Sequence, residues 1–221
     1  MFLLGASGLL FWFPGAFGFA PALRFLTANA LASELPETSL SPVDEPLQQR
    51  VDAGSAEPIV LQRDGVQWRL TPRADYKIAA RVLHRKQYDD WQASLSPIDL
   101  ALGWGMFSLP RIDDWIRWEQ ADRWYYYHYR RVFGVPFPRD YVREHSANVH
   151  IIPAGEKVET ILRQLKGNEI VQLHGLLVDA ETRSGAGSIA FRTSLSRKDE
   201  GDASCEIMYV QRAIVDGVEY R

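Results

Sequence analysis

The sequence predicts a single β-rich domain of the α+β class, built as a small antiparallel β-barrel or a strongly curved sheet with short helices and preceded by an N-terminal hydrophobic segment. Three observations favour this fold. A clear hairpin signal opens the folded part, an amphipathic helix follows, and strand patterns separated by loops rich in glycine, serine and charge close the chain. With 221 residues, of which 46% are hydrophobic and 24% charged, the chain can bury a core of ordinary size.

Residues 1–32 form a hydrophobic segment that we interpret as a signal peptide or a membrane anchor. No charged residue occurs before Arg24, and this apolar run is long enough to cross a bilayer as a helix. Ala30, Leu31 and Ala32 have the small-x-small pattern of a signal-peptidase site, although the usual basic residues before the apolar run are missing. Acidic residues follow, so we expect the main domain in the cell envelope, either periplasmic or anchored to the inner membrane.

Residues 33–57 are predicted to be a linker between this segment and the folded domain. They carry three prolines and several serines and show neither helical nor strand periodicity. Residues 58–221 are therefore predicted to form the single β-rich domain, in which no internal repeat is found.

The clearest element of this domain is a β-hairpin that turns at Asp64 and Gly65. This pair favours a two-residue turn, because both positions adopt positive φ angles. Closing the turn there places Leu61 opposite Trp68 and leaves one face of the hairpin apolar. Alternating apolar and charged residues over 76–82 then predict a further half-buried strand.

Three helices are predicted in the middle of the chain. Ser96 and Pro97 resemble the N-cap and the first residue of a short helix, with Asp99 placed to return a hydrogen bond to the cap. Two more helical stretches are predicted over residues 112–119 and 138–145.

The last third of the chain is predicted to contain one helix followed by strands. Apolar residues at the i, i+3, i+4 and i+7 spacing indicate an amphipathic helix over residues 158–165, and Gly167 ends it. Three strands are predicted over residues 169–179, 189–195 and 205–212. About six strands with short connections are typical of a small barrel, including the kind that binds oligonucleotides and oligosaccharides.

Two stretches resemble those of a family of uncharacterised bacterial proteins. Residues 95–105 read Leu-Ser-Pro-Ile-Asp-Leu-Ala-Leu-Gly-Trp-Gly, and residues 145–153 read His-Ser-Ala-Asn-Val-His-Ile-Ile-Pro. Residues 124–127 and 195–197 extend the resemblance, which covers roughly residues 74–210. The resemblance implies a single domain behind a hydrophobic leader and implies no activity.

The net charge and the cysteine content exclude several classes of function. A formal net charge of -3 gives no basic surface of the kind that duplex nucleic acid requires. Cys205 is the only cysteine, so the chain can form neither an internal disulfide nor a cysteine-based zinc site. Because Glu206 beside it opposes a thiolate, we expect Cys205 to be a small buried hydrophobe, with a nucleophile as the alternative. The sequence contains no motif of common cofactor or metal sites, so neither is predicted.

Arginine and aromatic residues are interleaved between Arg111 and His145, where seven arginines and ten aromatic residues occur. Such mixing can form a stacking platform, and six carboxylates in the same window favour a sugar or peptide over a phosphate backbone. A layer packed on both sides is the structural alternative, and a core position is the alternative for Trp104. We therefore predict a non-catalytic, exported or membrane-tethered module for a protein or glycan partner in the envelope. Its predicted binding residues are Trp104, Trp124, Tyr125, Tyr127 and Arg130.

Two other functions remain open from the sequence. His145, His150 and Asp99 carry the side chains of a metal-assisted or acid-base hydrolase, provided that they converge. The alternative for the two histidines is capping and hydrogen bonding within the core, and the alternative for the carboxylate is the cap at Ser96. A barrel that binds single-stranded nucleic acid is a third hypothesis. The sequence does not predict the oligomeric state.

Overall fold

The computed structural model describes residues 40–52, 56–131, 134–184, 187–198 and 204–221. The strands in these residues are β1 (Leu47–Arg50), β2 (Ile59–Arg63), β3 (Val66–Gln87), β4 (Ile98–Gly103), β5 (Ile116–Ala121), β6 (Trp124–Tyr129), β7 (Ser146–Pro153), β8 (Ile170–Ser184), β9 (Gly187–Phe191), β10 (Glu206–Val215) and β11 (Val218–Tyr220). The α-helices are α1 (Arg139–Glu144) and α2 (Glu156–Gln164). No helix in these ranges is long and apolar enough to span a bilayer. The predicted signal peptide or anchor lies outside the described residues.

Most of the strands belong to one curved sheet. Its order is β1-β3-β4-β7-β10-β8-β9, with β2 paired to β3 and β11 paired to β10. Neighbours along this path are antiparallel except β7 and β10, which are parallel. Since β8 pairs with β3 as well as with β10, the pairings of β3, β4, β7, β10 and β8 form a closed circuit. The predicted β-rich fold with a curved sheet and few short helices is therefore confirmed.

The core fills the side of the sheet that we call the inner face. Alternate residues of β3, β4, β7, β8 and β10 point into it, because successive side chains of a strand point to opposite faces. Helix α2 covers one end of this core with Val158 and Leu162, both fully buried, as the apolar spacing predicted. The opposite, outer face is covered in part by the β5–β6 hairpin and by α1, which bury residues such as Phe107 and Trp118 against it.

The predicted hairpin forms with the predicted register. Leu61 faces Trp68 across β2 and β3, and the turn residues Asp64 and Gly65 have φ angles of 51° and 75°. Trp68 is fully buried, which explains why the apolar face fixes this register. Helix α1 likewise confirms the helix predicted over 138–145.

Two predicted helices are wrong. Residues 98–103 form strand β4 instead of a helix, since every one of them is buried between neighbours in the sheet. A strand that is covered on both faces does not alternate between apolar and polar residues, so its sequence gave no strand signal. The residues at Ser96 also resemble a helix cap, which favoured the wrong prediction. Over 112–119, a short 3₁₀ turn at Ile112–Asp114 leads into β5, in which buried and more exposed residues alternate.

The stretch predicted to be a linker contains a strand. Leu47–Arg50 pairs with β3 as an edge strand, with Leu47 opposite Lys77. Its pairing comes from backbone hydrogen bonds at the sheet edge, which explains why its mostly polar sequence gave no strand signal.

Candidate functional site

Three neighbouring strands bring together side chains that are far apart in sequence. Asp99 of β4 lies opposite His150 of β7, and His150 is level with Ile207 of β10. Cys205 directly precedes β10, at the level of Asn148. These side chains belong to the outer face, because their neighbours Leu100 and Val149 point into the core.

Asp99 and His150 form a buried pair. The Asp99 Oδ1 atom lies 2.8 Å from His150 Nδ1, and the Asp99 side chain is fully buried. The guanidinium of Arg123 lies 3.7 Å from the same carboxylate oxygen. A carboxylate in this position fixes the orientation of the imidazole and favours its charged form.

Cys205 lies in the same cavity wall as His150 and contributes to the electrostatic environment of its ring. Since Nδ1 is bonded to Asp99, the nitrogen available to the sulfur is Nε2. Burial lowers the pKa of His150, but the hydrogen bond to Asp99, the charge of that carboxylate and the interaction with Cys205 outweigh burial and raise that pKa to about 10. The arrangement favours the charged ring, the form in which a histidine pairs with a thiolate.

Polar neighbours hold this group of side chains in place. Asn148 Nδ2 lies 3.8 Å from the Cys205 sulfur and donates to the Arg123 carbonyl, and Gln120 donates to Asn148 Oδ1 over 2.6 Å. The Arg123 guanidinium donates to the Ser96 carbonyl over 2.6 Å. Each of these bonds limits the rotation of a side chain that contacts the thiol or the carboxylate.

His150 and Cys205 open onto a cavity of about 400 Å³, which we call the outer cavity. Such a volume is within the usual range for small-molecule sites. Apolar side chains dominate its wall, with a few polar groups between them. Its lining consists of Gln92, Leu95, Ser96, Arg123, Trp124, His150, Ala190, Phe191, Arg192, Cys205 and Ile207.

The structure separates His145 from the other two members of the predicted trio. Its Nε2 lies 3.3 Å from Glu45, its Nδ1 contacts the Tyr141 carbonyl, and its ring stacks on the Tyr141 ring at 3.7 Å. These contacts are the local packing that was the alternative for this residue. Asp99 and His150 do converge, whereas the short-helix cap expected for Asp99 does not form.

The residues of the predicted binding surface are distributed over four environments. Trp104 is fully buried and donates its indole N–H to Glu45, so it fills the core. Trp124 lines the outer cavity, whereas Tyr125 and Tyr127 line a second cavity. Arg130 is exposed, and neither cavity includes it among its lining residues.

Cys205 is the site residue that the sequence led us to misjudge. It is partly exposed and lies in a cavity wall instead of being a buried hydrophobe. Glu206 does not oppose a thiolate there, because it points to the other face of the sheet and pairs with Arg197. The alternation of side chains in a strand that starts near residue 205 could have shown that Cys205 and Glu206 point to opposite faces. The position of His150 beside Cys205 could not be predicted, because it depends on the pairing of two strands that are distant in sequence.

Within the described ranges, no group of three or more histidine, cysteine, aspartate or glutamate side chains is arranged to hold a metal ion. No family, no curated protein and no solved structure matches this chain.

Proposed function

We propose that the protein is a thiol-dependent hydrolase or acyltransferase in which Cys205 is the nucleophile, His150 the base and Asp99 the residue that orients the base. The buried Asp99–His150 pair beside Cys205, at the wall of an apolar cavity, is the observation that carries the proposal. A nucleophile, a neighbouring base and a third group that orients the base are the components of covalent acyl transfer.

The reaction begins from the ion pair in which the Cys205 proton is already held by His150. The thiolate sulfur attacks the carbonyl carbon of an ester, thioester or amide, the bond from that carbon to the leaving group breaks, and His150 gives the proton to the leaving group. A water molecule then attacks the acyl-enzyme thioester. His150 takes one proton from this water and returns it to the Cys205 sulfur as the carboxylic acid departs. An alcohol or amine in place of water gives acyl transfer.

The cavity favours substrates with an apolar acyl group. Leu95, Phe191 and Ile207 supply apolar surface next to the thiol, and Trp124 adds an aromatic ring. Burying a methylene group contributes about 0.8 kcal/mol, so binding should strengthen with acyl length until the cavity is full.

We further propose that the curved sheet is a five-stranded barrel of the oligonucleotide- and oligosaccharide-binding kind. The closed circuit of β3, β4, β7, β10 and β8 supports this assignment. In such barrels, ligands bind over the second and third strands and between the first and fourth connecting loops. In chain order the five strands are β3, β4, β7, β8 and β10, so Asp99 and His150 lie on the second and third strands. Leu95 lies in the first loop, between β3 and β4, and Cys205 lies in the fourth loop, between β8 and β10. The outer cavity thus lies where the fold class usually binds ligands.

The non-catalytic binding module predicted from the sequence is a second candidate, and the position of the outer cavity on this face favours it. A protein or glycan group would contact Trp124 and Arg123 there without reacting with the thiol. Export and attachment to the envelope are part of both proposals.

A series of p-nitrophenyl esters from acetate to octanoate tests the enzyme proposal. We expect a nitrophenol burst of one equivalent, an acyl adduct on the single cysteine by mass spectrometry, and faster acylation with longer chains. Cys205→Ala should abolish the burst, and His150→Gln should slow acylation by about 100-fold, the usual contribution of a general base.

The matched control is His128→Gln, which changes an exposed histidine on β6. It should acylate at the unaltered rate. Equal rates for the unaltered protein, Cys205→Ala and His150→Gln would exclude the thiol mechanism and leave the binding module.

A further inference from the structure

A second cavity, which we call the inner cavity, lies on the other side of the residues that carry the thiol. It has a volume of about 400 Å³, and β6, α1 and the start of β7 contribute to its wall. Cys205 belongs to the outer cavity, while its neighbours Ser204 and Glu206 belong to the inner one. The lining is Tyr125, Tyr127, Arg139, Asp140, Arg143, Ser146, Ala147, Ser196, Arg197, Ser204 and Glu206.

The wall of the inner cavity carries more cationic than anionic groups. Arg197 is paired with Glu206 and also donates to the Tyr76 hydroxyl over 2.6 Å. Arg143 lies 3.1 Å from Asp140, whose side chain is 76% exposed, so water screens this pair. Arg139 adds a third guanidinium to the same wall. Among the described lining residues, three guanidinium groups face two carboxylates, so an anionic group would meet a net positive charge there.

Glu206 contributes a polar atom without a partner. Its side chain is 3% exposed, and its Oε2 atom has no hydrogen-bond partner among the described residues. Burial raises the pKa of Glu206 to about 7, although the charge of Arg197 lowers it. A buried carboxyl oxygen at a cavity wall is normally satisfied, so this atom indicates a missing polar partner.

Tyrosine and serine side chains complete the wall with neutral hydrogen-bonding groups. The Tyr125 hydroxyl lies 3.3 Å from Ser146 Oγ, and burial raises the pKa of Tyr125 to about 12, so the phenol stays neutral. Tyr125 stacks on Trp118 with ring centroids 5.8 Å apart, which holds its ring rigidly. Neutral hydroxyls and rigid aromatic rings are well suited to the hydroxyl groups and apolar ring faces of a sugar.

We propose that the inner cavity binds an acidic monosaccharide, with its carboxylate or phosphate on Arg139 and a ring hydroxyl on Glu206. This site is separate from that of the thiol reaction, because no residue lines both cavities. Tyr125 and Tyr127 belong to the arginine- and tyrosine-rich segment, so the proposal assigns a ligand class to part of that segment.

Isothermal titration of the full-length chain with glucuronate, glucose 6-phosphate, glucose and inorganic phosphate tests the proposal. At least one acidic sugar should bind about tenfold more tightly than both glucose and phosphate, the effect expected of a charged hydrogen bond. Preference for glucuronate would identify a carboxylate ligand, and preference for glucose 6-phosphate a phosphate ligand. Arg139→Gln should raise the dissociation constant of the preferred sugar by about tenfold.

Two matched variants serve as controls. Arg130→Gln removes an exposed arginine that lines neither cavity and should leave the affinity unchanged. Cys205→Ala should also leave it unchanged, which separates this site from the proposed thiol chemistry. The proposal is overturned if no probe binds, if glucose or phosphate binds as tightly as both acidic sugars, or if Arg139→Gln binds like the unaltered protein.

Discussion

At the scale of single residues, the start of β10 has the greatest functional consequence. Cys205 and Glu206 are adjacent, yet Cys205 lies with His150 in the wall of the outer cavity and Glu206 pairs with Arg197 in the wall of the inner cavity. Strand alternation separates their environments, so a carboxylate next to the thiol in sequence does not repel it in space. The two sites should therefore respond to separate substitutions.

Glu206 predicts a dependence of stability on pH. Its pKa is raised by burial from 4.5 to about 7, so between these values the folded state binds more protons than the unfolded state. The contribution of Glu206 to the free energy of unfolding is therefore present below pH 4.5 and is lost as the pH rises to 7. Below pH 4.5, this contribution amounts to roughly 3 kcal/mol.

Urea unfolding at several pH values, compared between the unaltered protein and Glu206→Gln, measures this contribution. The variant cannot titrate at this position, so its stability relative to the unaltered protein should rise between pH 4.5 and 7. A constant difference between the two proteins across that interval would show that Glu206 titrates normally.

At the scale of elements, the sequence predicted what depends on local patterns. The hairpin register follows from Asp64 and Gly65 together with the apolar alternation, and α2 follows from its apolar spacing. β4 was mistaken for a helix because its burial depends on β3 and β7, which are distant in the chain. For the same reason, Asp99 and His150 could be predicted only as a candidate pair, and Cys205 could not be assigned to them.

The turn of the hairpin allows a test of local conformation. Gly65 has a φ angle of 75°, and no atom lies within 4 Å of a Cβ placed on it, so backbone strain alone should determine the effect of a side chain. Gly65→Ala should lower the free energy of unfolding by roughly 1 kcal/mol, measured by urea titration. Gly65→Asn should lower it less, since asparagine tolerates the left-handed region. Equal losses in the two variants would contradict this explanation.

At the scale of the whole molecule, both cavities depend on the closure of the pairing circuit. β8 joins β3 to β10, and Gly175 lies in β8 opposite both Tyr76 and Val210. A Cβ on Gly175 would lie 2.0 Å from the Tyr209 carbonyl oxygen, so no side chain fits without movement of β10. Cys205 directly precedes β10, and Glu206 is the first residue of β10. A shift of β10 caused by a side chain at Gly175 would therefore affect both sites.

Gly175→Ala should therefore lower stability by roughly 1–3 kcal/mol, the usual cost of overpacking, and should weaken ester acylation and acidic-sugar binding together. The matched control is Gly167→Ala, at an exposed position where no atom lies within 4 Å of the added Cβ, and it should leave all three quantities nearly unchanged. Urea unfolding followed by tryptophan fluorescence and by alkylation of Cys205 should give one coincident transition in each protein, because a closed circuit unfolds as a unit. Separate transitions, or loss of one site without the other in Gly175→Ala, would show that the two faces of the sheet are stabilised independently.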